Sequence, residues 1–184
     1  MEPPDELKAF FRDALTVIII AGVLVAGLQL AAQKFIVDGP SMDSSFRNGQ
    51  QVLVNTLIYR FQEPERGDII IFHPPENEKE DYIKRIIGLP GESVEIKEGV
   101  IYIHKDNGSM IPLNEPYVVH TARLSFKGDT IPANKYFVLG DNRNNSSDSR
   151  NGWTVPFQNI VGKAWLSVWP PNDWGLVVNY LSGQ

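Results

Sequence analysis

A serine and a lysine carry the elements of a hydrolytic site in this sequence. Ser41 lies in the segment Gly-Pro-Ser-Met, and a serine hydroxyl becomes an effective nucleophile only when a base takes its proton. His73 is a poor candidate for that base, because two prolines follow it in a predicted loop. Lysine is the alternative base that serves serine in Ser-Lys variants of the catalytic triad.

Lys84 lies in an apolar run, residues 82–87, that is predicted to form a strand. Strand alternation places Lys84 on one face and Arg85 on the other. If the Lys84 face is buried, desolvation lowers the pKa of its amine from about 10.4 by several units and yields a usable base near pH 8. Taken alone, a Gly-Pro-Ser turn and a solvent-facing lysine are the simpler interpretations of Ser41 and Lys84.

A third segment, GDNRNNSSDSR at residues 140–150, is rich in Asn, Asp and Ser. It could be a run of turns or a calcium loop. Calcium is disfavoured, because counting from Asp141 the sixth residue is Ser146 rather than Gly, and the twelfth is Gly152 rather than Glu.

Composition excludes several other kinds of site. The net charge of −5 gives no basic surface for nucleic acid, and the absence of cysteine removes thiolate nucleophiles and Cys-based zinc sites. The three histidines, His73, His104 and His120, follow no metal-ligand spacing. We therefore expect no metal and no nucleic-acid partner, and hydrolysis by a serine and a lysine would need no cofactor.

Residues 14–32 contain no charged side chain, and Gln29 is their one strongly polar residue. As a helix these 19 residues span about 28 Å, close to the thickness of a bilayer core. The helix of a soluble protein should have a polar face, which this one lacks. A cleaved signal peptide should have a positively charged start and a shorter apolar region, whereas here four acidic residues outnumber Lys8 and Arg12 before the apolar run. We predict a transmembrane anchor at residues 14–33, after an N-terminal segment at residues 1–13. The flanking charges do not orient it.

After the anchor, short runs rich in β-branched and aromatic residues alternate with turn signals. The predicted strands are residues 35–37, 51–55, 68–72, 82–87, 93–96, 100–104, 136–139 and 160–169, with a short helical turn at 157–159. This pattern predicts a mainly β fold, with an antiparallel, barrel-like catalytic domain at residues 34–184 and a smaller β insertion at residues 92–135.

Four segments together resemble the signature boxes of the bacterial type I signal peptidases, a serine/lysine peptidase family. They are VDGPSMDSSF, RGDIIIF, YIKRIIGLPGE and LGDNRNNSSDSR, and they follow the family's order over residues 37–150. The resemblance implies that Ser41 is the nucleophile, that Lys84 is its general base and that Ser146 holds the lysine amine by a hydrogen bond. It also implies two ion pairs that frame the site, Asp141 with Arg85 and Asp148 with Arg150.

The sequence departs from the family pattern at two places. Many relatives carry Pro-Thr-Leu where this chain has Ser-Ser-Phe at residues 44–46, which concerns the packing around the nucleophile. Some members have a serine at the position of Gly39 as an oxyanion donor. Here the oxyanion hole is expected to rest on backbone N–H groups, and we assign it to Ser41 and Gly39.

The resemblance implies that the substrates are preproteins, cut after small residues at the first and third positions before the bond. An extended substrate would add a strand beside the nucleophile, with Phe35, Val37 and Ile83 as candidate pocket walls or, equally, as plain core residues. We expect membrane lipid as a further partner, a monomer, and a single-pass protein of the cell membrane. Its N-terminus would be cytoplasmic and its peptidase domain extracytoplasmic.

Two rival functions differ from this one. A membrane-tethered β domain could bind signal peptides or partner proteins without cutting them, and a self-cleaving repressor-type peptidase shares Ser/Lys chemistry. The second would need a DNA-binding domain where residues 1–34 supply an anchor. Three tryptophans near the C-terminus, Trp165, Trp169 and Trp174, are equally compatible with a membrane-interface contact and with core packing.

Overall fold

The structure is a computed structural model that describes residues 5–77 and 79–183. The chain begins with a long helix, α1 (Asp5–Ala31), which starts earlier than the predicted anchor and ends two residues before it. The helix stops there because Ala32 enters the first strand, and the Ala31 carbonyl accepts a hydrogen bond from the Thr56 backbone N–H at 2.9 Å. Residues 1–4 of the predicted N-terminal segment lie outside the described residues.

Within α1 the span Ala9–Gly27 is long and apolar enough to cross a membrane. None of this span is buried against the β region, and large side chains such as Ile18, Ile19 and Val23 are more than half exposed. A helix that is apolar all round requires an apolar environment. This helix therefore fits the predicted membrane anchor.

The rest of the described chain is mainly β, as predicted, and forms two antiparallel sheets. Its strands are β1 (Ala32–Ile36), β2 (Gln51–Asn55), β3 (Ile69–Phe72), β4 (Tyr82–Gly88), β5 (Ser93–Lys97), β6 (Val100–His104), β7 (Met110–Pro112), β8 (Phe126–Lys127), β9 (Lys135–Leu139), β10 (Val155–Pro156), β11 (Ile160–Trp169) and β12 (Gly175–Leu176). Short 3₁₀ turns are Ile58–Arg60, Ser149–Asn151, Phe157–Asn159 and Pro171–Asp173. The eight predicted strands are present, whereas β7, β8, β10 and β12 were not predicted.

The larger sheet is a curled half-barrel with the order β1-β2-β11-β3-β4-β9-β10, and β12 pairs with β11. The long strand β11 makes this curvature, because it pairs with β2 on one side and with β3 on the other and its register shifts along both. Bulges of this kind bend a strand and increase its twist. The result places β1 and β4 on opposite sides of one concave face.

The smaller sheet, with the order β7-β6-β5-β8, lies within the predicted insertion at residues 92–135. It shares a core with the larger sheet, since Ile96 and Ile103 pack in the same cluster as Ile87 and Phe137. The rings of Phe126 and Phe137 lie 5.4 Å apart across this junction. The two sheets therefore support one another through a continuous apolar contact.

The concave face of the half-barrel holds a core that includes Val52, Val54, Ile69 and Ile71, while Ile70, Ile86 and Val138 are buried with other residues on the opposite face. Alternation along β3 explains this division, because successive side chains point to opposite faces of a sheet. Both faces of β3 are consequently covered, which fits its uninterrupted apolar sequence.

The three tryptophans near the C-terminus do not pack in the core. Trp165, Trp169 and Trp174 are 47%, 52% and 67% exposed, respectively. Of the two interpretations offered by the sequence, core packing is therefore wrong for all three.

We predict that Ile86→Ala lowers the free energy of unfolding by about 2–5 kcal/mol, because Ile86 is fully buried and its truncation leaves a cavity. Urea titration of the detergent-purified protein, followed by tryptophan fluorescence, measures the change. The matched control is Ile36→Ala, since Ile36 is 63% exposed and its truncation should cost less than about 1 kcal/mol. Equal losses in the two variants would contradict the packing described.

Candidate active site

Ser41 begins a turn, residues 41–45, in the connection from β1 to β2. The side chains of Met42 and Phe46 hold the turn against the sheet, because both are buried in the concave core. The turn is fixed from the side by Asn142, whose backbone N–H donates to the Ser41 carbonyl at 3.0 Å and whose side-chain amide donates to the Pro40 carbonyl at 3.1 Å. The position of the Ser41 hydroxyl is therefore set by core packing and by the loop after β9.

Lys84 lies in β4, paired with Ile70 of β3, and is only 4% exposed. Its Nζ lies 2.8 Å from Ser41 Oγ, and it also donates to the Ile83 carbonyl at 2.9 Å. The amine is thus within proton-transfer distance of the hydroxyl. The structure brings together the two residues on which the sequence interpretation depends.

Burial lowers the pKa of Lys84 to about 8, against the carboxylates of Asp148 and Asp141, which act to raise it. The cause is desolvation, because an ammonium ion taken from water loses hydration that this site does not fully replace. A substantial part of the amine is therefore neutral near pH 8. A neutral amine can accept a proton from a hydroxyl, whereas an ammonium cannot.

The two ion pairs that the sequence implied are both present. Asp141 accepts from Arg85 Nε at 2.9 Å and from Arg85 Nη2 at 2.7 Å, and both side chains are buried. Asp148 accepts from Arg150 Nε at 2.7 Å and from Arg150 Nη2 at 2.8 Å. Asp148 also accepts from the Gly140 backbone N–H at 3.1 Å, so this pair fixes the start of the loop that contacts Ser41.

The predicted hydrogen bond from Ser146 to the Lys84 amine is absent. Ser146 Oγ is buried and has no hydrogen-bond partner among residues 5–77 and 79–183. A Cβ added at Gly140 would lie 2.3 Å from this oxygen, so the hydroxyl is packed against the Gly140 backbone. The prediction was wrong about this contact because the glycine leaves room for the Ser146 side chain, which lies there.

The predicted oxyanion residue Gly39 has its backbone N–H engaged elsewhere. It donates to Asn48 Oδ1 at 2.9 Å. Gly39 has a φ of +85°, a left-handed conformation that glycine adopts readily, and this turns its N–H toward Asn48. The assignment of Gly39 to the oxyanion hole is therefore not supported, and Ser41 is the remaining candidate from the sequence.

A groove of about 570 Å³ opens beside Ser41 and Lys84. Its walls include the three predicted pocket residues, Phe35, Val37 and Ile83. All three also pack in or against the concave core, and their role as walls of a substrate pocket stays a prediction. Strand β1 pairs only with β2 among the described strands, which leaves its other edge free along this groove.

Sequence reasoning missed the contacts of the segment after the nucleophile. Ser45 Oγ donates to Asp141 Oδ2 at 2.5 Å and accepts from Arg85 Nη2 at 3.1 Å. Phe46, at the last of the three departing positions, is buried in the concave core. The residues at positions 44–46 thus still provide a buried apolar side chain, Phe46, and they add polar contacts through Ser45. The sequence alone signalled only that these positions were unusual.

Similarity to known proteins identifies the family of this chain. A model of the signal peptidase family, peptidase S26, matches residues 10–169. The chain is 34% identical over 174 residues to the probable signal peptidase I-1 of Synechocystis sp., covering 90% of this chain and 86% of that protein. It is 37% identical over 171 residues to a signal peptidase I of Leptolyngbya laminosa, covering 89% and 82% of the two chains. The chain belongs to the signal peptidase family, peptidase S26.

This family membership makes the chain a peptidase, that is, a hydrolase of peptide bonds. A solved structure, the signal peptidase I from Enterococcus faecalis V583, is 34% identical to the chain, with a TM-score of 0.49 and coverage of 55% of this chain and 97% of that one. In the part of the peptidase that the structure describes, no three His, Asp or Glu side chains are grouped so that they could hold a metal ion. Cofactor-free chemistry stays a prediction.

We predict that the Lys84 amine titrates near pH 8, since its burial lowers its pKa to about that value. The measurement is a heteronuclear NMR titration of the lysine side chains in the detergent-solubilised peptidase. Assignment follows from the signal that disappears in Lys84→Met. A midpoint for that signal above about 10, the ordinary lysine range, would contradict the burial described.

Proposed function

We propose that this peptidase removes signal peptides from exported preproteins by a Ser41/Lys84 dyad. The observation that carries the proposal is the 2.8 Å contact between Ser41 Oγ and the Nζ of a lysine that is 4% exposed. Family membership supports the reaction class and the preprotein substrate. The dyad assignment rests on the contact and on the lowered pKa of Lys84.

The reaction begins when the neutral Lys84 amine takes the Ser41 proton and the serine oxygen attacks the scissile carbonyl. The negative charge formed on the carbonyl oxygen is stabilised by the Ser41 backbone N–H. Lys84 then gives its proton to the departing amine, and an ester to Ser41 remains. Lys84 next takes a proton from water, the water oxygen attacks the ester, and the proton returns to Ser41 as the carboxylic product leaves.

The substrate lies extended in the groove between β1 and residues 81–83. The free edge of β1 offers backbone N–H and C=O groups for an added strand, and alternate substrate side chains then enter the wall of the groove. Apolar side chains of Phe35, Val37 and Ile83 line the groove beside Ser41. Such a wall accepts alanine and excludes larger residues on steric grounds.

We further propose that α1 holds the protein in the cell membrane as a monomer, with the N-terminus in the cytoplasm and the β region on the other side. Exported preproteins reach the extracytoplasmic surface with their apolar segment still in the lipid. Ser41 follows the end of α1 by ten residues, five of which form β1. The dyad therefore lies close to the lipid from which the substrate emerges.

We predict that Ser41→Ala and Lys84→Met each lower preprotein cleavage at least about a thousandfold, because either change removes a member of the dyad. Gel analysis of a purified preprotein in detergent measures the rate. The matched controls are Ser125→Ala and Lys97→Met, which alter exposed residues outside the groove and should leave the rate unchanged.

Below about pH 8 the wild-type rate should fall roughly tenfold per pH unit, since protonation of Lys84 removes the base.

Equal cleavage by the wild type, Ser41→Ala and Lys84→Met would disprove the dyad. Binding of the preprotein without cleavage by the wild type would favour the tethered binding domain instead.

Selectivity provides a separate prediction. Ile83→Ala removes three carbon atoms from the groove wall, so preproteins with valine in place of alanine before the cut should gain at least about tenfold in relative kcat/KM. Competition between the two preproteins measures this ratio. Val161→Ala is the matched control, because Val161 packs against the same core but does not line the groove. An unchanged ratio in Ile83→Ala would remove Ile83 from the pocket.

A further inference from the structure

The turn that carries the nucleophile is attached to the rest of the molecule at two consecutive serines, Ser44 and Ser45. Ser45 Oγ is part of the buried ion pair beside the base: it donates to Asp141 Oδ2 at 2.5 Å and accepts from Arg85 Nη2 at 3.1 Å. Arg85 is the neighbour of Lys84 in β4. One hydroxyl thus joins the nucleophile turn, the strand of the base and the loop after β9.

The Arg85 guanidinium is a rigid attachment point, because its donors are directed to fixed acceptors. Besides the two oxygens of Asp141 it donates to the Gly67 carbonyl at 3.0 Å, and its Cζ lies 3.9 Å from the centre of the Tyr117 ring. Charge-assisted, bidentate bonds of this kind hold geometry more tightly than neutral ones. A hydroxyl bound to this pair is therefore held in place.

Ser44 provides the second attachment. Its Oγ donates to the Tyr117 carbonyl at 2.6 Å, in the loop between β7 and β8, so the smaller sheet region also holds the turn. Ser44 has a φ of +95°, a conformation that residues other than glycine rarely adopt. A residue persists in such a conformation only when its surroundings fix it, and the bond to Tyr117 is one such constraint.

Neither serine faces the groove that holds the dyad. Ser44, Ser45, Arg85 and Tyr117 line a separate cavity of about 660 Å³, whereas the residues of the groove include Ser41 and Lys84 but none of these four. A substrate bound in the groove therefore does not touch Ser44 or Ser45. Ser44 and Ser45 can therefore affect the reaction through the position of Ser41, and Ser45 also through the Asp141 carboxylate that acts on Lys84.

We propose that Ser44 and Ser45 are positioning residues of the dyad, which hold the nucleophile turn against the Arg85–Asp141 pair and the Tyr117 backbone so that Ser41 Oγ stays within reach of Lys84. This inference rests on the proposed function of Ser41 and Lys84. It assigns a purpose to the two polar residues that the sequence showed only as a departure. Displacement of a catalytic group by about 1 Å can cost on the order of a hundredfold in rate.

The test compares Ser45→Ala with Ser45→Thr in the full-length protein in detergent. Ser45→Ala should lower kcat at least about tenfold with KM within about twofold, because the groove is untouched and the approach of Ser41 to Lys84 is impaired. Ser45→Thr restores the hydroxyl and should bring kcat to within about threefold of the wild type. Ser125→Ala, at an exposed serine, is the control.

Ser44→Gly separates positioning from stability. Glycine adopts the positive φ without strain, so this variant should unfold at a temperature no lower than the wild type while its kcat still falls several-fold through loss of the bond to Tyr117. A purely structural role for Ser44 would give the opposite result, with activity that follows stability. This variant also keeps the inference testable if Ser45→Ala does not fold.

The outcomes are distinct. Wild-type kcat in folded Ser45→Ala and Ser44→Gly, with Ser41→Ala inactive, would overturn the positioning role and leave the dyad intact. Failure of Ser45→Thr to restore kcat would also overturn it. A wild type that does not cleave would overturn the proposed function itself, and the positioning role with it.

Discussion

The proposed Ser41/Lys84 site depends on one buried amine, that of Lys84. A lysine that is almost fully enclosed must either find counter-charges or give up its proton, and here the amine is offered a hydroxyl and a carbonyl at hydrogen-bond distance. Its nearest carboxylates belong to residues that are already paired with arginines. Desolvation therefore prevails over charge attraction and lowers the pKa of the amine. Under the proposed mechanism the fold obtains its base by excluding solvent from a lysine rather than by adding a further catalytic group.

Arg85, the next residue of β4, keeps its charge although it is buried. Burial alone would lower its pKa, but its hydrogen bonds to Asp141 and the charge of that carboxylate raise the pKa overall. Alternation in β4 thus separates a cation that stays charged from an amine whose pKa is lowered to about 8, one residue apart. Arg85 holds Asp141 and Ser45 in place, and Lys84 is the proposed base.

Much of this arrangement could be predicted from the chain. The eight strands of four or more residues could be predicted, because runs rich in β-branched and aromatic residues lie between turn signals. The uncharged segment before residue 33 likewise predicted the apolar part of α1. The two-residue strands β8, β10 and β12 carry no such pattern, since their pairing is imposed by the register of longer neighbours. In the candidate active site, too, some contacts could not be predicted from the sequence. The rotamer of Ser146 and the direction of the Gly39 N–H follow from space and turn geometry, which the sequence motif does not encode.

The direct passage from α1 into β1 makes the anchor and one wall of the groove a single covalent unit, with no intervening linker. Five strand residues extend about 17 Å, so this wall of the groove reaches at most that far from the end of α1. Under the proposed membrane placement, a precursor would have to match this length with the spacing between its own lipid-embedded portion and its cut. The proposed reaction would then select export precursors by that spacing as well as by side-chain size.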